Sequence, residues 1–323
     1  MKCLVTGGTG FIGYNLVARL LEQGHKVIVT GSIKEQKIPN LKVRYLDKDI
    51  RNLNLISNLD ILYHQAAITD STLLDREKMF DVNVEWSKKL FDIVLERGCR
   101  HIVYASSTAV YGNMPPPYIE DTTPLAPLNP YAESKKLLEE FATAFAKENP
   151  GVVVVGLRYC NVYGPRENHK KKAASMVYQL AQQMLARDPR IFRDGNQKRD
   201  YIYIEDVIRA NILASEATQS TILNCGIGQA TTFNDLIDIL NNVLGINRKP
   251  EYIENPYEGK YQNHTQCDMT KARQELEFIP EFDIEAGIKE YYKSGYLTKW
   301  KLNKTYIKTK VFYFFNEKTK SYS

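Results

Sequence analysis

Tyr131 and Lys135 are the residues whose types and spacing most directly suggest proton transfer. They stand four positions apart in Asn129-Pro130-Tyr131-Ala132-Glu133-Ser134-Lys135, a spacing that puts both side chains on one face of a helix. Pro130 suits a first helical turn, which places Tyr131 near the positive end of the helix dipole. A free phenol titrates near ~10, so a tyrosine that takes a proton near neutrality needs its phenolate stabilised. A neighbouring ammonium does this, as does any further cation beside the ring. Ser107, in Ala105-Ser106-Ser107-Thr108, is placed to hydrogen-bond the reacting oxygen. Each part alone has a plain explanation: 21 tyrosines make a chance Tyr-x-x-x-Lys easy to find, and hydroxyls often end strands. Together, behind the glycine loop described next, they point to catalysis.

That loop is Thr6-Gly7-Gly8-Thr9-Gly10-Phe11-Ile12-Gly13. Gly8, Gly10 and Gly13 satisfy G-x-G-x-x-G, and Gly7, Gly10 and Gly13 satisfy G-x-x-G-x-x-G. Between a strand and a helix, such glycines permit a tight turn and close approach of backbone N–H groups to a diphosphate. The helix N-terminus adds favourable electrostatics for the anion. The motif alone is weak; its place at the chain's first strand-turn-helix favours dinucleotide binding over a structural turn. Dinucleotide folds usually end the second strand on an acid that binds the adenosine ribose. Here Val27-Ile28-Val29-Thr30 continues as Gly31-Ser32-Ile33-Lys34, without a carboxylate. A small residue, a hydroxyl and a lysine suit a 2′-phosphate, so NADP is expected, with NAD the alternative; Lys34 could also be a solvated loop charge. Asp49 and Ile50 are placed to reach the adenine edge, although Asp49 could equally be an ordinary loop acid.

The elements that must position these residues follow from the hydrophobic pattern. Strands are predicted over 2–6, 26–30, 42–46, 60–64, 101–105 and 152–157, and helices over 11–23, 77–96 and 131–147. This alternation indicates an α/β, doubly wound parallel sheet of Rossmann type with a second, smaller mixed α/β substrate lobe. After Gly164 the rhythm changes to a polar loop over 166–172 and a helix near 173–187. A strand-turn-strand around 191–204 and a helix from Glu205 follow, and the strand 221–225 could rejoin the main sheet. Thr232 with Asp235 suits a helix N-cap. The expected division is 1–165 plus about 198–225 for the dinucleotide, 166–197 plus 226–300 for the substrate, and a basic aromatic tail over 301–323.

Composition is ordinary for a globular protein, with 43% hydrophobic and 25% charged residues. The net charge of +5 is concentrated at the end, where 299–323 holds seven lysines and one glutamate. The preceding 298 residues therefore sum to −1, and the basic balance implies no nucleic-acid partner. Five scattered cysteines, none paired as CxxC, fit buried reduced thiols better than a disulfide framework or zinc site. The first strand begins at Lys2, leaving no room for a signal peptide, and no apolar run approaches a membrane span, so a cytoplasmic location is expected. The tail, with its Val311-Phe312-Tyr313-Phe314-Phe315 run, could be an extra strand, a membrane-surface contact or an artificial extension; a peripheral appendage without catalytic role is favoured.

Over residues 1–298 the sequence resembles the extended short-chain dehydrogenase/reductase family of nucleotide-sugar epimerases and dehydratases. The resemblance rests on the glycine loop, Ser107 and the Tyr131/Lys135 pair. It implies Tyr131 as general base, Lys135 bridging Tyr131 and a nicotinamide ribose, and Ser107 as their partner, with a tightly bound dinucleotide and a nucleotide-activated sugar as substrate. Gln65-Ala66-Ala67-Ile68-Thr69, Asn83 and Val162 match cofactor-contact positions; Asn161 and Arg199 match positions that hold the diphosphate end of the sugar nucleotide. It also implies a homo-oligomer paired through the two long helices before and after the fifth strand. The 4,6-dehydratases of the family carry an Asp-Glu pair after the Ser/Thr; Thr108-Ala109 stands there, which argues against dehydration.

The second half is similar to the ADP-glycero-manno-heptose 6-epimerase branch, on 158–170, Lys198-Arg199-Asp200-Tyr201 and 259–268. This implies Lys170 as a second acid/base, which inversion can use because hydride must return to the other face of the carbonyl. Lys170-Lys171-Lys172 could also be a solvated lysine run. Phe192, Arg193 and Tyr261 match substrate positions, with ordinary strand packing the competing explanation for Phe192. Gln179 stands where that branch has a histidine, 171–175 departs from its Gly-Ser-Met-Ala-Ser, and the second strand lacks its Asp-Asn. His169 and His264 lack companions at ligand spacing, so no metal is expected. The competing functions are a UDP- or GDP-hexose 4-epimerase, a sugar-nucleotide reductase, and a non-catalytic NADP-binding sensor on the same fold.

Overall fold

The structure is a computed structural model that describes residues 1–31, 43–46, 56, 58–69, 75–254 and 262–298. Ser32, Lys34, Asp49, Ile50, Tyr261 and the tail 301–323 lie outside the described residues.

Seven parallel strands form the main sheet: β1 (Lys2–Thr6), β2 (Lys26–Thr30), β3 (Arg44–Leu46), β4 (Ile61–His64), β5 (His101–Ser107), β6 (Val153–Tyr159) and, later in the chain, β10 (Thr221–Cys225). Their spatial order is β3-β2-β1-β4-β5-β6-β10, the doubly wound arrangement with its reversal between β1 and β4. Alternation along each strand divides the core between two layers. Cys3, Val5, Ile61, Tyr63, Val103 and Val155 point to one side, with Leu16, Val17 and Leu20 of α1 (Phe11–Glu22). Leu4, Leu62, Ile102, Tyr104 and Val154 point to the other. There they meet Leu90, Phe91 and Val94 of α3 (Trp86–Glu96) and Leu138, Ala142 and Phe145 of α4 (Pro130–Glu148). The helix expected over 77–96 is helical throughout but not uniform: α2 (Arg76–Phe80) passes through a π-turn at Asp81–Glu85 into α3. Such turns recur at functional sites, and no 3.6-residue pattern discloses them.

The chain leaves β6 into β7 (Asn161–Tyr163), a 3₁₀ stretch at Glu167–Ala173 and α5 (Met176–Ala186), where a plain polar loop and a longer helix were expected. β8 (Arg190–Phe192) and β9 (Lys198–Tyr203) are the expected strand-turn-strand, but they do not pair with each other. β9 runs between β7 and the antiparallel β11 (Ala230–Thr232), while β8 pairs in parallel with β12 (Glu251–Ile253). Local pattern locates strands but not their partners, which depend on which edges tertiary packing brings together. α6 (Ile204–Ala214) returns against α1, tied by Arg19 Nη2 to Glu205 Oε2 at 2.6 Å, and β10 rejoins the main sheet beside β6. α7 (Phe233–Leu244) starts on the expected Thr232, which forms a capping box with Asp235. α8 (Thr270–Leu276) and α9 (Ile284–Lys293) complete the mixed lobe. No helix among the described residues is long and apolar enough to cross a membrane.

Candidate active site

At the carboxyl ends of β1, β4, β5 and β6 lies a cleft of about 1060 Å³. Its floor at β1 is the glycine loop. Gly7 adopts φ +66°, and a Cβ there would lie 2.8 Å from the Ala66 backbone nitrogen. A Cβ on Gly13 would lie 2.3 Å from the Gly7 carbonyl oxygen. Backbone from three segments therefore converges where side chains cannot enter, leaving N–H groups to meet a ligand. Gly10 caps α1 with no side-chain hydrogen bond, so the positive helix end faces the cleft. These features fit a dinucleotide diphosphate. Phe11, Ile12, Gly31, Gln65, Ala66, Ala67, Thr69 and Val162 also line the cleft, as the sequence led us to expect.

Asn83 lies elsewhere. It is buried in the π-turn, where its Oδ1 accepts from Ile68 N at 2.8 Å and its Nδ2 donates to Ile68 O and Ser134 Oγ, each at 3.0 Å. It therefore shapes the 65–69 loop against α4 rather than the cleft wall. The same turn brings Asp81, Val82 and Trp86 to the cleft, residues that the sequence reading did not single out.

Ser107, Tyr131 and Lys135 meet on one wall. Asn129 caps α4 by accepting from Ala132 N at 2.9 Å, with Pro130 as the first helical residue, so the local sequence fixes where Tyr131 starts. Lys135 is 3% exposed; its Nζ donates to Ala105 O at 2.7 Å and lies 5.9 Å from the Tyr131 ring centroid. Burial pushes the Tyr131 phenol above its ordinary value, and a hydrogen bond with Ser107 works in the opposite direction. Burial pushes Lys135 down to about 8, while the charge of Glu139 supports the ammonium. Burial disfavours the charged form of each group, so a phenolate and an ammonium are stabilised on this wall chiefly by each other and by their hydrogen-bond partners.

Lys170 reaches the same cleft, with its Nζ 5.7 Å from the Phe11 ring centroid. Burial lowers its titration, and the charge of Glu167 opposes this. Glu167 holds both ends of the Lys170 stretch: it is fully buried and accepts from Gly164 N at 3.1 Å, Ser175 N at 2.5 Å and Ser175 Oγ at 2.9 Å. Arg166 and Lys171 take left-handed φ of +76° and +54°, so the bend is held by these bonds rather than by local preference. Glu167→Gln is expected to cost roughly 1–3 kcal/mol of stability. Turnover should fall about tenfold or more with the dinucleotide still bound, as a general acid/base contributes ~10²–10⁴ when in place. Denaturant unfolding and steady-state kinetics on the same preparation check both.

At the substrate end, Asn161 and Arg199 line the cleft. Asn161 Nδ2 donates to Asp200 O at 3.0 Å and Thr265 Oγ1 at 3.2 Å, and the Arg199 guanidinium lies 5.8 Å from the Phe233 ring centroid. Gln262, not singled out from sequence, also lines the cleft and donates to Gly112 O. Gln179, Phe192 and Arg193 do not line it; Gln179 donates to Ala174 O at 2.6 Å, and Phe192 and Arg193 fall at β8 and the turn after it. All five cysteines are free and buried. Cys160, Asp200 and Cys267 bring potential ligand atoms within 4.8 Å of one another, but the Asp200 carboxylate already accepts from Ile227, Gly228 and Cys267 N–H groups.

Residues 3–226 match the profile of the NAD dependent epimerase/dehydratase family. The chain belongs to this family. It is similar to an ADP-L-glycero-D-manno-heptose-6-epimerase from Brachyspira hyodysenteriae, 36% identical over 306 residues, covering 89% of this chain and 96% of that one. The Helicobacter pylori ADP-L-glycero-D-manno-heptose-6-epimerase structure is also 36% identical, with a TM-score of 0.83, covering 93% of this chain and 96% of that one. UDP-glucuronic acid 4-epimerase from Bacillus cereus, in complex with UDP-glucuronic acid and NAD, is 28% identical with a TM-score of 0.78, covering 92% and 99%. Five of the related structures hold NAD. This epimerase/dehydratase family member thus has a Rossmann sheet whose cleft fits NAD(P).

Proposed function

We propose that the chain is a nucleotide-sugar epimerase that inverts one hydroxyl-bearing carbon through a transient ketone, with ADP-glycero-manno-heptose, inverted at C6, as its substrate. The observation that carries this reading is one cleft holding Tyr131 with Lys135 and Ser107 together with a second, half-buried lysine, Lys170. Ala109 lines it where the dehydratase pattern requires a carboxylate. When bound, the dinucleotide supplies the acceptor and then the donor of hydride. Tyr131 takes the hydroxyl proton as the carbon is oxidised, Ser107 hydrogen-bonds the same oxygen, and Lys135 holds the phenolate. Lys170 serves as the acid/base when the ketone is reduced from its other face. The chemistry is redox-neutral overall.

Arg199 and Asn161 receive the diphosphate end of the sugar nucleotide, with Phe192, Arg193, Gln179 and Tyr261 as outer substrate contacts. NADP is the form we expect, because β2 ends on Thr30-Gly31 without a carboxylate; the NAD held by five relatives supports the alternative. The division at residues 165 and 198 and pairing of two copies through α3 and α4 belong to the same proposal. A hexose 4-epimerase is the second reading, favoured by the likeness to the UDP-glucuronic acid 4-epimerase, and it needs Tyr131 alone with rotation of the keto-sugar.

Proton NMR of products from ADP-heptose and from UDP- and GDP-hexoses tests the two. Inversion at C6 of the heptose, with no net consumption of added dinucleotide, is expected. Inversion at C4 of a hexose alone would replace the first reading by the second, and stoichiometric loss of NADPH absorbance would mean a reductase. Mass spectrometry of the nucleotide released by denaturing the purified protein distinguishes NADP from NAD.

A further inference from the structure

One helical turn beyond Lys135, a buried carboxylate joins the three elements that carry the site. Glu139 is 2% exposed and Arg158 is 4% exposed. Glu139 Oε1 accepts from Ser106 Oγ at 2.5 Å and Arg158 Nε at 2.9 Å, and Oε2 accepts from Arg158 Nη2 at 2.8 Å. Arg158 Nη1 donates to Tyr111 Oη at 2.7 Å and to the Glu120 carbonyl at 3.3 Å. Glu139 sits on α4, Ser106 on β5 and Arg158 on β6. Ser106 lies between Ala105, whose carbonyl holds Lys135 Nζ, and Ser107. A buried ion pair is a poor source of net stability compared with apolar residues of the same shape, so stability alone does not account for it.

We infer that Glu139, held by Arg158, is a positioning residue for the reaction proposed above: it locks the Tyr131/Lys135 face of α4 against the end of β5 that carries Ser107, and its negative charge keeps the Lys135 ammonium charged in a dry site. This rests on the proton-transfer reading of Tyr131 and Lys135. The three residues recur at i, i+4 and i+8, one stripe along α4. The groups facing Lys135 and Glu139 come from every neighbouring element. They are Tyr131 from α4 and His64 from β4 around Lys135, and Tyr104 from β5 and Arg158 from β6 around Glu139. His64, driven down to about 3 by burial with the charge of Lys135 acting the same way, stays neutral, so Glu139 supplies the compensating negative charge in this group.

Removing that charge lowers Lys135 further, so the ammonium is lost at a lower pH and the phenolate loses its support there. In Glu139→Gln, purified with its dinucleotide, the alkaline limb of kcat is expected to move down by roughly one pH unit or more. At pH 9 and above turnover should fall about tenfold, the ratio that one pH unit represents once both proteins are on the alkaline limb, with KM little changed. Glu139→Asp, which keeps the charge, returns the limb towards its original place. Glu139→Gln leaves Arg158 buried without its partner, so the double variant E139Q/R158M is measured beside it; its limb moves the same way by less, because Arg158 lies beyond Glu139. A folded variant lacking the Glu139 carboxylate whose pH profile superimposes on that of the unaltered enzyme overturns the inference, as does failure of both Gln variants to fold, which would make the pair a support of the fold rather than of the ammonium. Absence of turnover by the unaltered enzyme on every sugar nucleotide sinks the proposed function instead, which keeps the two failures distinct.

Discussion

Tyr131→Phe is expected to lower turnover about 10²–10⁴-fold, the range a positioned general base contributes. That loss corresponds to roughly 3–5 kcal/mol of transition-state stabilisation. The substitution deletes one oxygen from a ring whose helix start is fixed by the Asn129 cap and Pro130. The fold and the retained dinucleotide should therefore be unchanged, and the effect should fall on kcat with KM nearly constant. A non-catalytic sensor would lose nothing measurable in ligand binding, and no turnover would exist to lose. The check is single-turnover kinetics with the natural sugar nucleotide, alongside quantitation of bound dinucleotide in both proteins. Turnover within a few-fold of the unaltered enzyme would remove Tyr131 from the mechanism, leaving Lys170 as the candidate acid/base in the cleft.

Gly13→Ala should have the other large effect, through binding rather than chemistry. A Cβ there would lie 2.3 Å from the Gly7 carbonyl oxygen and 2.8 Å from the Gly8 Cα. Both obstacles are backbone, so no side chain can rotate away and the first helix must shift outward from the loop. Overpacking of this kind costs about 1–3 kcal/mol of stability. The displaced N–H groups no longer converge on a diphosphate, and the protein is expected to emerge from purification without dinucleotide. Absorbance and mass spectrometry of the denatured supernatant measure this directly, and activity should recover only when a large excess of dinucleotide is added. Retention of a full complement of dinucleotide would show that the cradle tolerates the methyl group, contrary to the geometry.

These two sites were legible from residue order because the signals are local. The glycine loop needs only its neighbours to be a strand and a helix, and the Tyr131/Lys135 pair needs only the helix that Asn129 and Pro130 begin. Strand identity was legible for the same reason, since alternation such as Cys3, Leu4, Val5 assigns each residue to a layer without reference to distant chain. The π-turn at Asp81–Glu85 escaped because its backbone is set by packing of Asn83 between the 65–69 loop and α4, not by any residue preference.

What the sequence by itself determined is therefore the α/β alternation, the diphosphate cradle and the phenol with its ammonium, all encoded within a few residues. The tertiary structure alone decided three further things. β9 pairs with β7 and β11 rather than β8, Glu167 ties both ends of the Lys170 stretch, and Glu139 meets Arg158 from a strand 19 residues on. A carboxylate in a list of residues looks the same whether it will be solvated or buried. Only packing takes it out of water, and in a dry interior its partners must be chosen with care because an unmatched charge there is costly.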